Sequence, residues 1–201
     1  MILRCPFRVR VFALIGVWSL TTVSIWQSFA IAQTPTRSLP ESPLVLDIGK
    51  AGPFELGATI EEVYRLVGRD QTRLVDLYKE GTFSPAVEIR IPGHDGPAIV
   101  ADIREWPCGQ FSIWGMSVRD TRFRTREGDG VGSTLGELRE HYWVELLGGE
   151  GSVLAFVSAL QLSFELDTPT TRTATDKTRV KSVWVIPQPI KVRARRCPER
   201  G

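Results

Sequence analysis

Eight residues recur in this chain at a fixed distance, and that recurrence constrains the fold more than any other feature. Leu56-Gly57-Ala58-Thr59-Ile60-Glu61-Glu62-Val63 lines up with Val131-Gly132-Ser133-Thr134-Leu135-Gly136-Glu137-Leu138 at an offset of 75. Both copies read apolar, Gly, small, Thr, apolar, any residue, Glu, apolar. A segment that occurs twice points to a duplicated architecture. Thr59 with Glu62, and Thr134 with Glu137, each make T-x-x-E, a capping box in which the hydroxyl and the carboxylate satisfy each other's backbone N–H. The Gly two places earlier permits a sharp turn into the helix. Behind the first cap Ile60, Val63, Tyr64 and Val67 form one apolar stripe, and Gly68 ends it. Behind the second, Leu135, Leu138 and Tyr142 do the same. Each copy predicts a short amphipathic helix whose apolar face must be covered.

Short runs rich in Val, Ile, Phe and Trp follow each helix. They are 72–78, 86–91, 99–104 and 111–119 after the first, and 143–147, 153–157, 160–166 and 179–186 after the second. Gly and Pro between them indicate antiparallel strands with tight links. The expected class is α+β: two tandem units, each a helix followed by an antiparallel meander, packed as two layers. The units are placed at 48–121 and 122–190. A flexible leader rich in Pro, Ser and Thr precedes them at 33–47, and a basic tail follows at 191–201.

Residues 1–32 read as an export signal. Arg4, Arg8 and Arg10 stand with no acid before an apolar run that ends in Ala30-Ile31-Ala32. That order describes a secretory signal peptide cut between Ala32 and Gln33, and hence a periplasmic or secreted product. About 20 apolar residues also suffice for a membrane anchor, but Ser19, Thr21, Thr22, Ser24, Gln27 and Ser28 favour cleavage. No stable membrane span is expected afterwards. Removing the signal leaves 22 basic against 23 acidic residues, so the formal charge of +2 belongs to the signal. The remaining charge is split, with a basic end at 176–201 and an acidic body before it. Without aromatic interleaving or a motif, nucleic acid is not an expected partner.

Cys108 and Cys197 remain after cleavage. In an oxidising compartment they predict a disulfide closing a loop of about 90 residues, worth roughly 3–5 kcal/mol. Neither lies in C-x-x-C, and His94 and His141 do not complete a metal site.

Catalytic motifs are missing where they would be expected. Ser133 lacks the G-x-S-x-G setting of a nucleophile elbow. The glycines at 128, 130, 132 and 136 miss both phosphate-loop spacings. His94-Asp95, in a turn of Gly and Pro, is the one pair with acid–base capacity. No catalytic residue, metal ligand or cofactor site is assigned. Trp106, Trp114, Trp143 and Trp184 form the candidate interaction surface, because Trp is enriched at binding hot spots.

The paired Gly-small-Thr-apolar-x-Glu segments, each opening a helix before strands, resemble the tandem helix-plus-sheet units of β-lactamase-inhibitor-protein-like folds. Gly130 to Leu138, continued by Leu162-Ser163-Phe164-Glu165-Leu166-Asp167, also resembles small exported bacterial proteins of unassigned function. The resemblance covers 54–187 and implies architecture only. No inhibitory contact residue matches, and Tyr142-Trp143 stands where such helices often end in Tyr-Gly. The expected function is an exported, non-catalytic binding or envelope-associated protein with an unknown protein or small ligand. The alternatives are a hydrolase using His94 with a carboxylate, and a structural envelope component.

Overall fold

A side chain every second residue reaches the same face of a strand, and that periodicity organises the structure. The computed structural model describes residues 44–79, 81–105, 109–149 and 151–187. The expected signal segment, residues 33–43, Trp106, Cys108, Cys197 and the tail at 191–201 lie outside these. The cleavage site and the Cys108–Cys197 pairing therefore lie outside them too.

The elements in chain order are β1 (Leu44–Asp47), β2 (Lys50–Ala51), β3 (Phe54–Glu55), α1 (Ile60–Val67), β4 (Thr72–Lys79), β5 (Thr82–Ile89), β6 (Ile99–Glu105) and β7 (Phe111–Val118). There follow β8 (Phe123–Arg124), α2 (Leu135–His141), β9 (Glu145–Gly148), β10 (Val153–Val157), β11 (Leu162–Leu166) and β12 (Val180–Val185). Eight strands form one antiparallel sheet in the order β4-β5-β6-β7-β12-β11-β10-β9. A four-stranded sheet, β3-β2-β1-β8, holds the early chain, with β1 and β8 parallel.

Two rows of buried side chains cross the large sheet in register. One runs Val87, Ala101, Met116, Val185, Leu162, Val157. The other runs Ile89, Ile99, Val118, Val183, Phe164, Ala155. Val63 of α1 and Leu135 and Leu138 of α2 are buried in the same core. Two register shifts explain irregular patterns in the sequence. Lys181 is the extra residue where β11 meets β12, which is why Val180, Val183 and Val185 alternate imperfectly. Trp114 is the extra residue where β6 meets β7.

The structure corrects the expected class. The described protein is mostly β, with two sheets and helices of only eight and seven residues. It is not two tandem helix-plus-meander units. The strands of both halves share one sheet because β12 pairs with β7, so neither half presents a free edge there. Helices about 12 Å long at 1.5 Å per residue are too short to form a layer over it. Residues 44–47, expected at the end of the leader, are β1, which buries Leu44 and Leu46.

Candidate functional site

The recurring motif docks each helix onto the sheet. Thr59 Oγ1 accepts the Glu62 N–H at 3.3 Å, and Glu62 Oε2 accepts the Thr59 N–H at 2.7 Å. Just upstream, the Gly57 N–H donates to the Ile113 carbonyl at 2.8 Å, and the Ile113 N–H donates to Ala58 at 2.8 Å. The second copy repeats this. Glu137 Oε2 accepts the Thr134 N–H at 2.6 Å, and Gly132 and Ser133 exchange 2.8 Å bonds with Val180. The start of α1 is thereby fixed over β7.

Gly68, at φ +91°, ends α1, and a 3-10 turn at Arg69–Gln71 leads into β4. At eight residues each, β4 and β5 extend about 26 Å, twice the length of α1. Among the described residues no helix covers the hairpin end of the sheet on the helix side. An open cleft of about 590 Å³ lies there. It is lined by Ile60 and Tyr64 of α1, by Leu74, Val75, Pro85, Ala86 and Ile103 of the sheet, and by Gly109, Gln110 and Phe111 at the start of β7. Beside it four large apolar side chains remain in water: Leu74 (61% exposed), Tyr78 (67%), Phe83 (73%) and Phe111 (45%). The Tyr78 and Phe83 rings touch, with centroids 5.2 Å apart.

The polar groups of the cleft are mostly committed. Arg69 donates to Glu61 at 3.0 Å and lies 4.3 Å over the Tyr64 ring. Thr59 is held in its cap. Asp76, opposite Pro85, makes no side-chain hydrogen bond or ion pair among the described residues. The cleft therefore offers an apolar floor with one uncommitted carboxylate.

Of the four tryptophans expected to form an interaction surface, Trp106 lies outside the described residues, and the other three each have their own surroundings. Trp114 packs under the Arg104 guanidinium at 4.2 Å. The Trp184 indole donates to Glu165 at 3.3 Å. Burial works against the charged Glu165 carboxylate, but hydrogen bonds from Ser182, Lys181 and Trp184 hold it below its usual range. Trp143, 87% exposed, follows α2 at another place.

His94 Nδ1 lies 3.9 Å from the buried Asp120 carboxylate, which already accepts Arg122 at 2.6 Å. Burial disfavours the Asp120 charge, yet the Arg122 hydrogen bonds and the Arg122 and His94 charges outweigh it and depress the carboxyl. Arg122 also donates to the Pro92 carbonyl at 2.8 Å, so this group clamps two loops together. Ser133 Oγ accepts the Gly130 N–H at 3.1 Å and Arg124 at 3.2 Å, and no base faces it. Among the described residues no cluster of three His, Cys, Asp or Glu side chains is arranged to hold a metal.

A polar cluster that the sequence did not disclose surrounds α2. His141 Nδ1 is 2.7 Å from the buried Asp129 carboxylate. Tyr142 donates its hydroxyl to Thr125 at 2.9 Å and to Glu127. Burial, followed by the bond to Glu127, pushes the Tyr142 phenol well up. These contacts tie the turn at 125–129 to the helix end.

No protein-family model and no curated protein matches the chain. Among solved structures the chain is similar to the uncharacterised protein YfeY of Escherichia coli, at 14% identity and a TM-score of 0.49. That likeness covers 71% of this chain and 98% of that one. Among the described residues no helix is long and apolar enough to cross a membrane.

Proposed function

We propose that this is an exported, non-catalytic binding protein that takes an apolar group of its ligand into the cleft between α1 and the β4–β5 hairpin. The observation that carries the reading is the cleft lined by the exposed Leu74 and Phe111, with the exposed Tyr78–Phe83 ring pair further along the same hairpin. Exposed apolar side chains grouped at one end of a sheet mark a contact surface. The volume is also within the range of roughly 300–1,000 Å³ that ligand sites occupy. The basic start, apolar run and Ala30-Ile31-Ala32 support export.

Catalysis has less in its favour. Asp120, 3.9 Å from His94, is engaged by Arg122, and the Ser133 hydroxyl is engaged by Gly130 and Arg124. Nucleic acid is a poor fit to a cleft bearing Glu61, Asp76 and a single Arg69 already bonded to Glu61.

Titration with the neutral fluorophore N-phenyl-1-naphthylamine tests the reading. Saturable binding to the wild type is expected, weakened about tenfold or more in a Leu74→Ser, Phe111→Ser variant, as losing the burial of two large side chains implies. Both positions are exposed, so the variant keeps its fold. Equal binding by the two proteins would exclude the cleft.

A further inference from the structure

The large sheet ends in two edges that differ. At one lies β9, four residues long; at the other lies β4, eight residues in unbroken register with β5. Edge strands are ordinarily shortened, bulged, interrupted by Pro or covered, because their outward N–H and C=O groups template another strand. Among the described residues β4 is neither short, bulged nor interrupted by Pro, and nothing pairs with its outer side; the charges it carries are Arg73, Asp76 and Lys79.

Its open groups can be assigned. The Arg90 N–H donates to the Gln71 carbonyl at 2.8 Å, which makes 71 and 90 a bonded pair of the β4–β5 ladder. Bonded and non-bonded pairs alternate in an antiparallel ladder. Arg73, Val75 and Leu77 therefore bond to β5, and Leu74, Asp76 and Tyr78 aim their N–H and C=O groups away from it. The side chains of the same three residues lie on the cleft face, opposite Val87, Pro85 and Phe83.

Resting on the binding reading above, we infer that the β4 edge takes an extended peptide segment of a partner protein, with apolar side chains flanking a basic one. Main-chain bonds along β4 supply affinity, and alternate side chains of the added strand fall on the cleft face. Those opposite Leu74 and Tyr78 meet exposed apolar surface, and the one between them meets Asp76. Charge complementarity favours such a segment over a second copy of this chain. The two self-pairing registers of greatest overlap set Asp76 against the copy's Asp76 or against Leu74, and neither pairs the carboxylate.

The test uses the blocked peptide Ser-Phe-Thr-Lys-Thr-Phe-Ser, its Lys→Glu analogue, and a form N-methylated at alternate amides that keeps every side chain. Backbone NMR of the full mature protein should show the Lys peptide shifting Leu74, Asp76 and Tyr78 and slowing their amide exchange. The Glu analogue should bind about two- to fivefold more weakly, the effect of one exposed ion pair, and Asp76→Lys should reverse that order. The N-methylated form should not bind. Equal binding by the N-methylated form would overturn strand addition. So would slowed exchange at these amides in a concentration-dependent dimer without peptide, which would give the edge to a second copy. Binding of N-phenyl-1-naphthylamine without binding of any peptide would overturn this inference alone; failure of both would overturn the binding reading as well.

Discussion

Thr59 and Thr134 hold matching positions, and their replacement should show it. Each hydroxyl accepts the N–H of the Glu three residues on, in a box whose other half is also formed. Thr59→Ala and Thr134→Ala are each expected to cost about 1 kcal/mol in urea unfolding. From the sequence, Ser133 needs only to be small. The structure gives it more to do: it is buried, and its Oγ accepts the buried Gly130 N–H. Ser133→Ala strands that donor, at a cost of about 1–3 kcal/mol, so it should destabilise at least as much as either Thr change. A smaller effect would mean that water or a neighbour satisfies Gly130. His141 carries a pH signature. Its hydrogen bond to Asp129 raises its pKa, burial opposes, and the charges of Asp129, Glu140 and Glu127 add to the rise. A raised folded pKa gives stability that is complete below the unfolded value near 6.5 and lost as pH climbs through the folded value. Unfolding free energies between pH 5 and 9 should decline in this way for the wild type and less for His141→Gln. Identical slopes would dissociate His141 from the effect.

Among the elements, those governed by local chemistry were legible in the sequence and those governed by distant pairing were not. The helix starts at Thr59 and Thr134 and the stop at Gly68 follow from caps and from a glycine at φ +91°. Strand positions were also readable, except that β5 begins at Thr82, ahead of the expected 86. Pro85 lies inside β5, but it stands beyond Ala86, where pairing with β6 stops, so its missing N–H removes no bond. The two-residue strands β2, β3 and β8 have too few side chains to show a period. Hydrogen exchange checks the β4 assignment at this scale. Val75 and Leu77 should be protected while Leu74, Asp76 and Tyr78 exchange freely, and central β7 and β12 should be slowest. Uniform protection along β4 would mean that its outer edge is already paired.

For the whole molecule, the pairing of β7 with β12 decides the architecture, and no local signal in either strand names the other. The cleft was hidden for the same reason. Its residues come from α1, β4, β5, β6 and the start of β7, and only the fold brings them together. One trace was readable: Asp76 interrupts the apolar alternation of Leu74 and Tyr78. The tryptophans drew attention by residue type, but Trp114 and Trp184 are occupied by Arg104 and Glu165. The export proposed above is tested on the whole chain: mass spectrometry of the secreted fraction should find an N-terminus at Gln33. A Met1 start in the membrane fraction would indicate an anchor instead. The central claim, that the cleft between α1 and the β4–β5 hairpin is the binding site, is tested most directly by a backbone NMR titration with N-phenyl-1-naphthylamine. Shifts confined to Ile60, Tyr64, Leu74, Asp76 and Phe111 are predicted; shifts centred on Trp143 or His94, with the cleft unmoved, would contradict it.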